Sequence, residues 1–176
     1  MNTRQYLVAG LIGLMVSGSV AVANAADKLP AMKKLSVEAR LQRMEDTEAI
    51  RELLIAYGRA FDKREFATYG SLFAKDGTWV GGADGATSYQ GPAAIQAFVE
   101  KIYPATVNPG SFHIMSSMDI KVDGDTATSW SRWTYVVKGV HGEPAPLRAG
   151  HYEDSLVRED GQWKFKRRAV ISDPNK

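Results

Sequence analysis

IRELLIAYGRAFD, residues 50–62, is the stretch on which the fold turns. Ile50, Leu53, Leu54, Tyr57 and Phe61 recur at spacings of three and four, so one face of a helix is apolar and must be covered. Tyr57 lies on that stripe and points toward whatever the helix packs against. Upstream, Leu41 and Met44 extend the stripe, and Ser36 is placed to cap the first turn. Downstream, Asp62-Lys63-Arg64-Glu65 has the form of a capping box, with Asp62 as cap of a second helix and Glu65 three residues on.

Working outward toward the C-terminus, the spacing predicts a short helix from Glu65 to Phe73 and a turn at Asp76-Gly77. A short strand, Thr78 to Gly81, and a glycine-rich loop, Gly81 to Gly85, come next. Gly91-Pro92 opens a third helix with Ile95, Phe98, Val99 and Ile102 on one side, and Pro104 to Gly110 ends it. The chain then turns to strands. Residues 112–122, 126–138, 147–158 and 163–172 alternate or are rich in β-branched and aromatic residues. Asp123-Gly124-Asp125 and Asp160-Gly161 mark tight turns, and His141 to Pro146 reads as a longer loop. Helices first and a strand meander afterwards predict one α+β domain, residues 37–174, whose curved, mostly antiparallel sheet wraps around N-terminal helices. No internal repeat is visible.

Toward the N-terminus the character changes. Arg4 precedes an apolar run from Tyr6 to Ala23, and Ala23-Asn24-Ala25 is a small-x-small site. Residues 1–25 therefore read as a secretory signal cleaved after Ala25, and 26–36 as a polar connector. An uncleaved anchor is the alternative, but the run is near the lower limit for a span and is broken by Gly10, Gly13 and Gly18. Cysteine is absent, which fits a periplasmic or secreted domain large enough to fold without disulfides. Of 22 basic residues the leader takes Arg4, leaving 21 against 20 acidic, a net charge near +1. That balance calls for neither nucleic acid nor, once the leader is gone, a membrane surface. The basic run Lys164, Lys166, Arg167, Arg168 alternates with Trp163, Phe165 and Ala169 and reads as strand decoration.

Three groups in this apolar frame can carry chemistry: Tyr57, Asp62 and His113. A buried imidazole can take a proton near neutral pH. A carboxylate on its other nitrogen fixes the tautomer and stabilises the imidazolium. A phenol facing the same space can donate to a departing or developing oxygen. Each also has a plainer reading: Asp62 as a helix cap, His113 as one residue of an alternating strand, Tyr57 as core, and Arg168 as half of a cross-strand ion pair. Strand parity puts His113, Met115 and Ser117 on one face, and Trp133 and Tyr135 on one face of the next strand. With Phe61 and Trp79 they are the candidate walls of a pocket for a flat, mostly apolar ligand such as a steroid, terpenoid or aromatic polyketide. The three histidines have no paired spacing, and no phosphate loop, dinucleotide fingerprint or nucleophile elbow is present. No cofactor and no metal are expected.

Several of these stretches together carry a resemblance. Ile50-Arg51-Glu52-Leu53-Leu54 through Phe61-Asp62, Leu72-Phe73-Ala74-Lys75-Asp76-Gly77, Gly91-Pro92 and the strand-opening His113 look like the SnoaL-like branch of the nuclear-transport-factor-2-like superfamily. So do Gly150-His151-Tyr152-Glu153-Asp154 and Arg158-Glu159-Asp160-Gly161-Gln162-Trp163. The likeness spans residues 38–173 and implies a cone-shaped barrel. Within the superfamily the chain resembles bile-acid 7α-dehydratase, hexachlorocyclohexane dehydrochlorinase and, more distantly, scytalone dehydratase. That resemblance implies an Asp62–His113 pair across a cavity, a functional Tyr57 and an auxiliary Arg168. It also implies a homodimer or homotrimer. Many SnoaL-like members have Asn four residues after the histidine, where this chain has Ser117.

The reading that follows is an exported, cofactor-independent lyase of the dehydratase type. A non-catalytic small-molecule binder, and an isomerase or cyclase using the same base, are the alternatives.

Overall fold

The computed structural model of the chain describes residues 35–82, 85–104 and 106–173. The expected leader and all but the end of the connector lie outside the described residues.

The first helix, α1 (Val37–Asp62), starts as its sequence requires: the Ser36 side chain accepts the Ala39 N–H at 3.2 Å. Its buried stripe is Ile50, Leu53, Leu54, Tyr57 and Phe61. Leu41 and Met44, expected to extend the stripe, are instead 54% and 69% exposed. The first turns of α1 are exposed, and burial starts at Asp46. That carboxylate accepts hydrogen bonds from the Arg158 guanidinium and, at 3.2 Å, from Trp163 Nε1, fastening the helix to the far strands. Burial alone would raise the Asp46 pKa, but these donors together with Gln42 outweigh it and hold the carboxyl below its usual range.

Asp62 is the last residue of α1 and does not cap the second helix, α2 (Phe66–Ser71), whose N-terminal flank at Glu65 makes no side-chain cap. The chain reverses through Arg64, whose φ of 61° is in the left-handed region. The Arg64 guanidinium compensates by donating to the carbonyls of Phe61 (3.0 Å) and Val107 (2.8 Å), which ties the end of α1 to the loop before His113.

Six strands follow around the third helix: β1 (Phe73–Gly81), β2 (Thr87–Gln90), α3 (Pro92–Ile102), β3 (Phe112–Asp123), β4 (Thr126–Lys138), β5 (Pro144–Glu159) and β6 (Gln162–Ser172). They form one sheet in the order β2-β1-β6-β5-β4-β3. Only β1 and β6 run parallel; the other neighbours are antiparallel. The fold class is thus the expected α+β. The edges β2 and β3 do not pair with each other, so the sheet is curved but not closed into a barrel.

Register shifts at Phe73/Thr78, Ser116/Asp119, Tyr135/Val136 and Ser155/Leu156 supply local bends. The concave face packs on α1, with Tyr69, Phe73, Tyr152, Leu156 and Phe165 nearly free of solvent. Gly58 lets α1 approach β3 closely: a Cβ there would stand 3.3 Å from that of His113.

Candidate functional site

The end of α1 and the start of β3 meet at Asp62 and His113. Asp62 Oδ1 lies 2.7 Å from His113 Nδ1, and Asp62 Oδ2 accepts the main-chain N–H of His113 at 2.9 Å. Both side chains are largely sheltered, His113 at 9% and Asp62 at 18% exposure. An ionised carboxylate is an acceptor only, so Asp62 in that form selects the neutral tautomer with its hydrogen on Nδ1 and its lone pair on Nε2. Among the described residues Nε2 has no protein partner. The ring packs edge-on to Phe61 at 5.1 Å and beside Tyr135 at 4.9 Å between centroids.

His113 forms part of the wall of a hollow of about 980 Å³. Tyr57, Phe61, Trp79, Trp133 and Tyr135 line it, joined by Tyr69, Phe98, Tyr103 and Tyr152. The lining also takes in Arg167, Ala169 and Ile171, which alternate with the inward Arg168 and Val170 on β6, so part of that volume lies beyond the aromatic chamber. The hollow as a whole is at the upper end of the size range of small-molecule sites.

The Tyr57 hydroxyl is held by two hydrogen bonds. Its oxygen accepts the Trp79 Nε1–H at 3.0 Å and is hydrogen-bonded to the Tyr69 hydroxyl. The two phenols own two hydrogens and use one between them, which leaves one O–H for the chamber that both line. Burial raises the Tyr57 pKa; the Arg168 charge and the bonds from Tyr69 and Trp79 offset this only in part. The phenol therefore stays protonated at neutral pH and can act as a donor. Tyr69 was not singled out from the sequence. Its signal was there in the spacing Phe66, Tyr69, Gly70, which turns one side of a short helix inward.

Arg168 does not line the chamber. It lies behind Tyr57 and Tyr152, its guanidinium carbon 4.1 Å from each ring centroid and 4.0 Å from that of Phe165. Two hydrogen bonds of 2.8 Å join it to Asp154, its register partner on β5, as the ion-pair reading anticipated. Burial pulls the Arg168 pKa down, but the Asp154 charge and hydrogen bonds and the two phenols outweigh it, and the net direction is upward. The cation is permanent.

Two expected wall residues sit elsewhere. Met115 shares the inward parity of His113, yet it faces the flank of α1 in a separate dent with Ile55, Gly58 and Asp62. Ser117 is exposed at the register shift of β3, with φ of 51°, where the bulge breaks the parity that would have turned it inward. Among the described residues, no group of three or more His, Cys, Asp or Glu is arranged to hold a metal ion.

A SnoaL-like domain model matches residues 42–169. None of the curated proteins matches the chain in sequence. Solved structures do. An NTF2-like protein with a cystatin-like fold from Novosphingobium aromaticivorans is 28% identical, with a TM-score of 0.69 over 78% of this chain and 89% of that one. A candidate scytalone dehydratase from the same organism is 25% identical, with a TM-score of 0.64 over 75% and 87%. LinA is 22% identical, with a TM-score of 0.66 over 77% and 90%, a likeness of fold.

Proposed function

Because the chain belongs to the SnoaL-like domain family, we propose that it is a cofactor-independent lyase of the dehydratase type, acting on a small, mostly apolar substrate in the aromatic chamber. The observation that carries this reading is the 2.7 Å contact of Asp62 Oδ1 with His113 Nδ1, in a ring whose other edge has no partner among the described residues. Enzyme neighbours in the same fold lend it weight, the candidate scytalone dehydratase among them.

In this mechanism His113 Nε2 removes a proton from a carbon beside an activating carbonyl. The C–H electron pair becomes the new C=C bond, and the C–O bond to the leaving hydroxyl breaks with its electrons on oxygen. That oxygen takes the Tyr57 proton and departs as water. The imidazolium, stabilised by Asp62, returns a proton to the phenolate, and enzyme and charge are restored. Arg168 is an auxiliary: its charge behind the Tyr57 ring eases the moment at which the phenol gives up its hydrogen. A base positioned in this way is worth about 10²- to 10⁴-fold in rate.

Export belongs to the same proposal, as does a homodimer or homotrimer. Among the described residues no helix is long and apolar enough to cross a membrane. N-terminal sequencing of protein from a periplasmic fraction should begin at Ala26, and sedimentation should give two or three subunits.

The test of the lyase reading is a panel of apolar β-hydroxy ketones and thioesters, followed by mass spectrometry for loss of one water. Turnover that disappears in His113→Gln while binding persists supports it. Tight binding with no turnover, unaffected by His113→Ala, would instead favour a carrier, a reading that the preponderance of aromatic walls also suits. Product of unchanged mass would mean an isomerase or cyclase with the same base.

A further inference from the structure

The strand register places a third residue in line with the candidate base. His113 on β3 pairs with Tyr135 on β4, and Tyr135 pairs with Arg148 on β5. Directly opposed residues on neighbouring strands face the same side. The inward alternation on β5 is independently visible, since Tyr152 and Gly150 are buried while Ala149 is exposed. Arg148 thus stands on the concave face and borders the same hollow as His113 and Tyr135. Two inter-strand spacings separate it from His113, roughly 10 Å at the backbone.

Its surroundings distinguish it from the other charged residues of that lining. Glu153, Arg167 and Asp173 are on the outer face, where Asp173 is bonded to Arg132 and His151. Arg168, behind the wall rather than in it, is paired with Asp154 through Nε and Nη2, while its Nη1 is buried without a partner among the described residues. The Arg148 side chain has no ion pair or hydrogen bond among the described residues, and it is exposed at the border of a largely aromatic hollow. On the same face the Trp133 indole lies over Gly150, two residues from Arg148, with its Nε1–H buried and without an acceptor among the described residues. An unpaired guanidinium bordering an aromatic hollow suits an anionic oxygen group.

We infer that Arg148 anchors an anionic group, a carboxylate foremost, on the ligand of this chamber. The substrate class is then an amphipathic acid: an apolar ring body along the aromatic walls, its reacting carbon at His113 and its charged end held at Arg148. This deepens the lyase reading and rests on it only for where the reacting end lies.

Two fluorescent probes with nearly the same aromatic skeleton separate charge from shape: anilinonaphthalene sulfonate, an anion, and N-phenylnaphthylamine, which is neutral. The full-length protein should bind the sulfonate more tightly. Arg148→Gln should weaken the sulfonate roughly tenfold and leave the neutral probe within about twofold. Arg148→Lys, which keeps the charge but loses the fork, should fall between. Arg40→Gln, on the exposed start of α1 and away from the hollow, should change neither. Equal losses for both probes in Arg148→Gln, no loss for either, or an equal effect from Arg40→Gln would each overturn the inference. His113→Gln should preserve the preference for the anion, so failure of the base chemistry is read separately from failure of anion recognition.

Discussion

Arg168 and Asp154 face each other across β6 and β5 with two hydrogen bonds of 2.8 Å, and neither side chain has any solvent exposure. Ser129 adds a third bond to the carboxylate at 2.7 Å. A charge enclosed this completely is tolerable only while its partner remains. Asp154→Ala is therefore expected to cost about 3–5 kcal/mol, measured as a fall in the urea midpoint. Replacing both members by apolar residues of similar volume should recover most of that loss. A double variant as unstable as the single one would mean that packing against Tyr57 and Tyr152, rather than the unpaired charge, sets the cost.

For the chemistry, His113→Gln should remove turnover while the unfolding free energy from urea titration changes by less than about 1 kcal/mol. Asp62→Asn should lower kcat on the order of 10²- to 10⁴-fold, since an amide that donates to Nδ1 selects the wrong tautomer. Kinetics on any substrate from the panel would check both, and an Asp62→Asn enzyme of unchanged kcat would exclude the pair from the mechanism.

Tyr57→Phe tests the donor. The variant takes the acceptor away from Trp79 Nε1 and the partner from the Tyr69 hydroxyl. Two buried polar groups would be left wanting, at about 1–3 kcal/mol each. A loss of kcat on the order of 10²-fold is expected alongside. Stability loss with full kcat would assign Tyr57 to the core alone.

Acid should loosen the start of α1 from the sheet. The folded-state pKa of Asp46 is depressed, so its contribution is fully present above the unfolded value of about 3.9 and is lost as pH falls through the lower folded value. In Asp46→Asn this part of the acid-side slope should vanish. Parallel urea titrations at several acidic pH values measure it, and identical slopes in both proteins would contradict the linkage.

Much of the architecture was legible in particular residues. The Ser36 cap and the Ile50–Phe61 stripe mark α1, and Pro92 marks the first turn of α3. Asp76-Gly77, read as a turn before a strand, is instead a kink inside β1, where the register with β6 shifts. Gly77 is there because a Cβ would come within 2.5 Å of the Phe165 carbonyl, a close approach that local pattern does not reveal. β2 has four residues, too few for alternation to stand out, and β5 continues back through Pro144 because pairing with β4 overrides a loop-like composition. For the site, the Asp62–His113 partnership came from resemblance, since 51 residues separate the two and nothing local joins them. Parity served for Trp133 and Tyr135 but failed at Ser117, where a single bulge undoes it. Arg148 falls just past two prolines, and only the pairing of three strands reveals which way it faces.

The grip of Asp62 on His113 is double, and its two halves have different fates under mutation. One carboxylate oxygen serves the imidazole; the other serves a peptide group that any residue at 113 would supply, proline excepted. Altering the histidine thus removes the proposed base and spares the seam between helix and strand. Altering the aspartate unpicks both at once. Under the proposed mechanism, position 113 is where catalysis can be subtracted from a scaffold that still stands, whereas at 62 any lost activity is entangled with lost architecture.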